Sequence, residues 1–455
     1  MTASASECSA GHHAYDEKLA RLVAELRMQG SSAAGLAKKT SNLFRDRVAR
    51  RRPRVDLSGF NRILSVDRAA GTVECEGMAT YADIAAATLA QGLMPCVVPQ
   101  LKSITIGGAA AGVGIESSSF RYGLVHETLL AIDMLLADGS IVTCTRENEH
   151  RDLFFGFPNS YGTLGYALKI KAMAVPARRY VQLTHVRHRD SAEYFADLEQ
   201  RCCSDADFVD GTVFSAAEMY ITIGRFVDAC PFVSDYTFEH IYYRSIREKT
   251  IDYLTAEDYI WRWDTDWFWC SKNLYAQNPL VRRLLGKHRL NSVTYARIMR
   301  WNSKWGITRA LSRISATRDE PVIQDVDIPV ASAPGFLAFL LREIGILPIW
   351  ICPIRAYDPA SSFPLYKLQP QTLYINFGFW DTIRGGEPKP PGYYNRRIER
   401  KVQELGGIKS LYSDGYFPED EFWKIYGGAT YSVLKQRYDP KGALPDLYQK
   451  CVLRQ

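Results

Sequence analysis

The 455-residue sequence lacks several features that would place it in a common class at once. It contains no uncharged apolar run of the roughly 18 residues that a membrane-spanning helix needs, so no such helix is predicted. Residues Met1–His13 have no basic start followed by an apolar core, and we therefore expect no secretory signal. No Gly-x-Gly-x-x-Gly pattern follows a predicted strand, which argues against a resident nicotinamide dinucleotide site of the common type. There is no internal repeat and no low-complexity tract.

The cysteines are not spaced in a way that is typical of disulfide frameworks or metal sites. The ten cysteines are scattered, and only Cys202 and Cys203 are adjacent. No Cys-x-x-Cys pair or Cys/His ligand spacing occurs, so we predict neither a disulfide framework nor a metal site. Reduced, mostly buried thiols indicate a cytoplasmic location.

Positive charge is in modest excess and unevenly placed. The net charge of +6 is too small to indicate a nucleic-acid partner. Arginines are concentrated in residues 45–54, which contain a single acid, Asp46. These arginines are Arg45, Arg47, Arg50, Arg51, Arg52 and Arg54. Such a run is either a solvated face or a patch for an anionic membrane surface or a cofactor phosphate.

The most informative stretch is Ile104–Ser119, which consists largely of glycine, alanine and serine. With so little side-chain bulk, a flat ligand or an extended phosphate chain could lie directly on the backbone, whose N–H groups would bind it. The same residues could instead serve only the close packing of a strand and a helix. Two strand-like segments follow, Leu129–Leu136 and Ile141–Thr145, and the turn Asp138-Gly139 predicts that they form a hairpin.

Periodicity predicts a mixture of helices and strands. Apolar residues at helical spacing predict helices over residues 15–29, 81–91 and 331–344. Apolar runs bounded by turn residues predict buried strands over residues 347–354 and 372–379.

Several motifs together resemble a known family. Thr105–Ser117, Tyr122-Gly123, Leu136–Ser140, Asp152–Phe154 and Gly162–Gly165 are similar to the FAD-binding domain of the vanillyl-alcohol-oxidase/para-cresol-methylhydroxylase (PCMH) type. The segment from Gly114 to Ser119, with Glu421-Phe422-Trp423, Gly428 and Tyr431, resembles the sterol delta-24 reductase branch. The resemblance implies a two-domain α+β flavoprotein. Its parts would be an FAD-binding domain (1–180), an α+β substrate-binding cap (181–404) and a C-terminal segment (405–455) that returns to the flavin site.

The resemblance also implies which residues bind the cofactor. Lys39, Thr40, Ser41 and Asn42 match the first pyrophosphate-binding loop of the superfamily. The remaining cofactor-binding positions are Thr105, Ile106, Gly107, Gly108, Ala109, Gly112, Val113, Gly114, Ile115, Ser117, Gly162, Thr163 and Gly165. The histidine that bonds covalently to the flavin in many members is missing from the first loop, so we expect non-covalent FAD. The implied reductant is NADPH, although electrons could also come from a partner protein.

The expected chemistry requires a proton donor. An isolated alkene accepts a hydride poorly unless a proton adds first or together with it, so an acid must lie opposite the hydride. Glu116 is the first candidate, since burial in an apolar pocket would raise its pKa; alternatively it caps a turn or binds a ribityl hydroxyl. Tyr412 and Lys409 are further candidates.

Two enzymatic functions and one non-enzymatic function remain open at this point. The first is an NADPH-driven reductase of an isolated double bond in a lipid, either a sterol side chain or a methylene-branched fatty acyl chain. The second is an FAD-dependent alcohol or sugar oxidase or dehydrogenase, and the third is a lipid-bound scaffold. The tryptophans Trp261, Trp263, Trp267 and Trp269 fit core packing, a peripheral membrane interface or the lining of a substrate tunnel. The oligomeric state is not predicted.

Overall fold

The computed structural model describes residues 5–29, 35–38, 44–45, 54–295, 297–298, 319–385 and 389–455. It confirms the α+β class, with helices packed around two large sheets. The chain begins with helix α1 (Ala5–Gln29), which extends the predicted helix toward the N-terminus. The short strands β1 (Leu36–Ala37) and β2 (Val55–Asp56) then pair in parallel.

In chain order, the glycine-rich stretch lies between two strands of the first large sheet. The strands of this sheet are β3 (Ile63–Asp67), β4 (Thr72–Glu76), β5 (Leu93–Pro95), β6 (Leu129–Leu135), β7 (Ile141–Thr145) and β8 (Tyr166–Pro176). They run in the order β3-β4-β8-β6-β7, with β5 also pairing with β8. The helices in this region are α2 (Tyr81–Leu89), α3 (Ile106–Ala111), α4 (Ser119–Tyr122) and α5 (Arg151–Gly156).

The predicted hairpin at Asp138-Gly139 is confirmed. Strands β6 and β7 pair antiparallel, and Asp138 Oδ1 accepts a hydrogen bond from the Ser140 N–H at 2.9 Å. Gly139 has a φ of 87°, a conformation that L side chains rarely adopt. The helix predicted over residues 81–91 is observed as α2, and it starts where Thr80 Oγ1 caps the N–H of Asp83.

The second large sheet has eight antiparallel strands. They are β9 (Tyr180–His188), β10 (Phe208–Ser215), β11 (Glu218–Val227), β12 (Ile251–Thr255), β13 (Glu320–Pro329), β14 (Ile349–Ile354), β15 (Tyr374–Ile383) and β16 (Ile408–Lys409). Their order is β12-β9-β11-β10-β14-β15-β13-β16. The helices here are α6 (Ser191–Arg201), α7 (Tyr242–Ser245), α8 (Ala256–Ile260), α9 (Pro279–Leu285), α10 (Ala333–Phe339) and α11 (Tyr393–Glu404).

Most predicted elements of this second part are observed with shifted ends. The strands predicted over residues 347–354 and 372–379 correspond to β14 and β15. The helix predicted over residues 331–344 consists of a 3-10 turn (Val330–Ser332), α10 and a π-helical turn (Leu340–Ile344).

The last part of the chain packs back on the first sheet. Its helices are α12 (Glu419–Ile425), α13 (Gly428–Tyr438) and α14 (Leu447–Cys451). The Phe44 N–H donates to the Tyr412 carbonyl oxygen at 2.9 Å. The Tyr431 hydroxyl donates to Thr163 Oγ1, also at 2.9 Å. Residues from both ends of the described chain therefore meet at one place.

Two classes of feature are missing from the described ranges. No helix there combines the length and the apolar character that crossing a bilayer requires. The same ranges contain no cluster of His, Cys, Asp and Glu side chains suited to a metal ion.

Candidate active site

A large cavity lies where the two sheets and the C-terminal segment meet. Its volume is about 1130 Å³, above the roughly 300–1,000 Å³ of a typical small-molecule pocket. Its walls come from residues within 35–57, 77–115, 157–167, 267–298, 323–384 and 410–455. The cavity can therefore hold a dinucleotide cofactor with part of a substrate beside it.

One wall, here called the glycine wall, is almost bare backbone. It consists of Gly107, Gly108, Ala109, Ala111, Gly112, Val113, Gly114 and Ile115. Helix α3 begins where Thr105 Oγ1 accepts the Gly108 N–H at 3.2 Å, and it ends at Gly112. Within the described part of the chain, the N–H groups of Val113, Gly114 and Ile115 have no hydrogen-bond partner. Because backbone N–H groups are strong donors, this wall fits a ligand with acceptor atoms, as a flavin dinucleotide has.

Five cationic side chains line the same cavity, namely Lys38, Arg45, Arg54, Arg384 and Lys450. Lys38 Nζ donates to Thr105 Oγ1 at 2.8 Å. The Arg45 guanidinium lies 4.8 Å from the centre of the Tyr161 ring, and Lys450 Nζ donates to the Tyr161 carbonyl oxygen. These cations favour an anionic ligand such as a pyrophosphate. The predicted loop Lys39, Thr40, Ser41 and Asn42 directly follows Lys38 and lies outside the described residues.

A second wall, the aromatic wall, is formed by Trp267, Phe268, Trp350 and Trp380. The rings of Phe268 and Trp380 have centroids 4.4 Å apart, and those of Phe268 and Trp350 are 5.4 Å apart. Such contacts create a rigid apolar surface.

The tryptophan cluster predicted over residues 261–269 is buried. None of Trp261, Trp263, Trp267 and Trp269 exceeds 8% exposure. Of the three alternatives for this cluster, core packing and cavity lining therefore apply, whereas a membrane interface does not.

A carboxyl and a phenol stand together at the cavity wall. Asp325 and Tyr412 both line the cavity, and the Tyr412 side chain is close enough to influence the pKa of Asp325. Trp380 Nε1 donates to the Tyr412 hydroxyl at 2.8 Å. Burial raises the pKa of Asp325 to about 8; the Tyr412 hydrogen bond lowers it and the nearby Asp327 raises it. These surroundings favour the protonated carboxyl at neutral pH.

Glu116, the first candidate for the proton donor, lies outside the cavity lining. Its Oε1 is 2.8 Å from Arg262 Nη2, and the same guanidinium nitrogen is 2.9 Å from Asp210 Oδ2. Through this buried guanidinium, the Glu116 carboxylate ties the glycine-rich stretch to the second sheet. This placement corrects the acid role expected for Glu116.

Lys409 is also outside the lining. Its Nζ lies 2.7 Å from Glu399 Oε1 in a buried ion pair, and it donates to the Asp414 carbonyl oxygen. Lys409 therefore fixes the loop that precedes α12, and the structure does not support a role in proton transfer. Of the three candidates from the sequence, only Tyr412 reaches the cavity.

The predicted cofactor positions fall into two groups. Those that line the cavity are Thr105, Gly107, Gly108, Ala109, Gly112, Val113, Gly114, Ile115, Gly162 and Gly165. Ile106, Ser117 and Thr163 are buried behind the lining. Ile106 packs in the core, Ser117 Oγ is 2.8 Å from the Tyr259 hydroxyl, and Thr163 accepts from Tyr431. These three positions, which are corrected here, are sequence neighbours of lining residues. A family motif matches a continuous segment of the chain, but only some residues of that segment face the ligand.

Sequence reasoning missed Asp325, Trp380 and Lys38. Asp325 lies on a strand that also contains Glu320, Gln324 and Asp327, so the sequence does not distinguish it from the other polar residues of that strand. Trp380 and Lys38 carry no local signal either.

Comparison with known proteins agrees with this geometry. Residues 16–145 match the family model described as an FAD binding domain, and this region contains the whole glycine wall. The chain thus contains an FAD-binding domain and is an FAD-dependent oxidoreductase.

Individual proteins are also similar to this chain. The chain is similar to the Delta(24)-sterol reductase of Homo sapiens, with 29% identity over 418 residues that cover 85% of this chain and 75% of the relative. The Delta(24)-sterol reductase of Arabidopsis thaliana is 24% identical over 443 residues, covering 87% and 76% respectively. Cytokinin dehydrogenase 7 of Oryza sativa is 31% identical over 194 residues, 41% of this chain and 35% of that protein.

Proposed function

We propose that this chain reduces an isolated carbon–carbon double bond in a lipid, with non-covalent FAD as hydride carrier and NADPH as electron source. The substrate is a sterol side chain or a methylene-branched fatty acyl chain that becomes a methyl branch. The names of the relatives in Homo sapiens and Arabidopsis thaliana support the reaction type.

One observation carries the proposal. The glycine wall and the aromatic wall bound the same cavity. Bare backbone with unpaired N–H groups suits a polar, flat cofactor, whereas the indole and phenyl surfaces suit an apolar chain. A flavin and a lipid would therefore meet in one enclosed space.

The cofactor would be held by the chain's own backbone and cations. The N–H groups of Val113, Gly114 and Ile115 would bind it, and Lys38 and Arg45 would neutralise its phosphates. No histidine is among the described lining residues, which supports non-covalent binding. Bound FAD supplies hydride chemistry at its isoalloxazine ring.

The positive charge that develops on the substrate during the reaction determines which substrate is preferred. When a proton and a hydride add to an isolated alkene, positive charge develops on one carbon, and a tertiary carbon carries it best. Both substrate classes place a branch at the double bond. The aromatic wall would orient the chain and stabilise the developing charge through the faces of its rings.

The test is anaerobic mixing of the purified protein with candidate partners. We expect a bound flavin spectrum, bleaching by NADPH, and recovery of the oxidised spectrum when a sterol with an unsaturated side chain or a methylene-branched acyl chain is added. Acid precipitation should release the flavin into the supernatant. A protein that binds flavin but is bleached only by an alcohol or a sugar would support the alternative oxidase or dehydrogenase function.

We further propose that lipid reaches the cavity from an anionic membrane surface. Tyr275, Leu280 and Leu284 are each more than 70% exposed, and Ile298 is exposed as well as cavity-lining. These four residues are called the apolar patch. Leu280 and Leu284 are four residues apart on α9 and so share one face.

Charge next to the apolar patch supports this partner. Arg283 lies on the same helix and Lys287 follows it, with side chains 70% and 56% exposed; Glu239 and Asp235 are their acidic neighbours. An apolar surface flanked by cations is typical of proteins that bind anionic bilayers from one side. Arg45, from the arginine run predicted for this role, is buried against Tyr161 instead; Arg54 is described and exposed, and the other four arginines lie outside the described residues.

A further inference from the structure

Asp325 differs from the other carboxylates near the cavity in what surrounds it. It lies on β13, whose residues Ile323 and Asp325 line the cavity. Its Oδ1 atom is shielded from solvent and has no hydrogen-bond partner in the described part of the chain. Asp381, which also lines the cavity, has its carboxylate 2.7 Å from Lys272 Nζ. A shielded carboxyl oxygen without a cation is stable only when the group is neutral.

The surrounding backbone fixes the position of this carboxyl. The Asp325 carbonyl oxygen accepts the Ser410 N–H at 3.0 Å, which holds the segment containing Tyr412 against β13. Trp380 Nε1 then orients the Tyr412 hydroxyl from the opposite side. Burial raises the pKa of Tyr412 well above its ordinary value, so the hydroxyl stays protonated and can donate to Asp325.

The geometry points to Asp325 as the residue that protonates the substrate double bond, with Tyr412 as the residue that positions its carboxyl. This inference rests on the proposed reduction and names its acid. The carboxyl O–H bond breaks, and the proton forms a C–H bond at one alkene carbon. Bound FAD, once reduced by NADPH, would supply the hydride for the second C–H bond at the other carbon.

The step leaves Asp325 as a carboxylate beside Tyr412. The phenol O–H would stabilise that charge, because hydrogen bonds to an ionised acceptor are the stronger ones. After the saturated product leaves, water entering the cavity returns a proton to the carboxyl. The high pKa of Asp325 favours this return at neutral pH.

The test uses the two half-reactions of the flavin-loaded protein. In Asp325→Asn, which keeps the size of the side chain but has no acidic proton, we expect NADPH to bleach the flavin as in the unsubstituted protein. Reoxidation by the lipid alkene should be at least about 100-fold slower, since general acids contribute about 10²–10⁴-fold. Asp228→Asn, at an exposed carboxylate that does not line the cavity, should retain the reoxidation rate.

A second readout does not depend on turnover. Infrared difference spectra between neutral and alkaline pH should contain the band of a protonated carboxyl that disappears as the pH rises through about 8, and Asp325→Asn should lack this component. Equal reoxidation rates for Asp325→Asn and the unsubstituted protein would overturn the inference. If no lipid alkene reoxidises the unsubstituted protein, the proposed function itself fails.

Discussion

Gly378 lies directly opposite Asp325 in the antiparallel pairing of β13 and β15. A Cβ atom at position 378 would come within 2.7 Å of Asp325 Oδ1 and 2.5 Å of the Trp380 ring. The missing side chain is therefore what allows the carboxyl and the indole to approach each other on the cavity wall.

We expect Gly378→Ala to displace Asp325 or Trp380 and to lower the free energy of unfolding by about 1–3 kcal/mol, as overpacking does. Thermal unfolding measures the stability, and the rate of flavin reoxidation measures the displacement of the acid. Gly335→Ala is the matched control, because its Cβ would meet nothing within 4 Å. In helix α10 that change should stabilise the protein by about 0.5–1 kcal/mol. Similar losses at both positions would contradict the packing argument.

The pH dependence of alkene reduction should follow the protonation of Asp325. The reaction needs the protonated carboxyl, so the rate of reoxidation should fall as the pH rises through about 8. Asp327→Asn removes a negative charge that raises the pKa of Asp325, and the loss of rate should then begin at lower pH. Stopped-flow profiles against pH measure both. An unchanged profile in Asp327→Asn would show that another group titrates.

Tyr412→Phe should move the same profile in the opposite direction. The Tyr412 hydrogen bond lowers the pKa of Asp325, so its removal should extend activity to higher pH while the maximal rate decreases. Bleaching by NADPH serves as the internal control and should not change. A uniform loss of rate at every pH, without a shift, would indicate that Tyr412 acts only by packing.

The buried Arg262 should be important for stability. Replacing it with methionine leaves Glu116 and Asp210 buried without their shared cation, and this should cost about 3–5 kcal/mol. Urea unfolding gives the value. The control is Arg178→Met, since Arg178 and Asp228 form an exposed pair at 2.5 Å and such pairs contribute less than about 1 kcal/mol.

Membrane binding should depend on the apolar patch. The double variant Leu280→Ser/Leu284→Ser should float less with anionic vesicles than the unsubstituted protein, because less apolar surface enters the bilayer. Arg283→Glu should weaken binding mainly at low salt, where electrostatic attraction is strongest. Val433→Ser, at a 63% exposed position on α13, is the control. Equal flotation of all variants would show that lipid enters elsewhere.

Local signals explain what could be predicted from the sequence. The turn Asp138-Gly139, the helical spacing over residues 81–91 and the glycine-rich stretch each act through neighbouring residues, so the hairpin, α2 and most of the glycine wall were recognisable. The role of Glu116 was predicted wrongly because its partner Arg262 lies 146 residues away. No residue near Glu116 in the sequence indicates that pairing. Asp325 was overlooked because an alternating strand does not reveal which of its faces borders a cavity.

The hydrogen bond between Phe44 and Tyr412 has a consequence for biosynthesis. The two residues are distant in sequence, yet both line the cavity, so a nascent chain cannot enclose its cofactor until Tyr412 has left the ribosome. At a translation rate of about 5–20 residues per second, the first residues of the aromatic wall would remain uncovered for many seconds before Tyr412 is synthesised. This late closure implies that the chain depends on chaperones during synthesis. Abundant riboflavin would relieve that dependence only after the chain has been released.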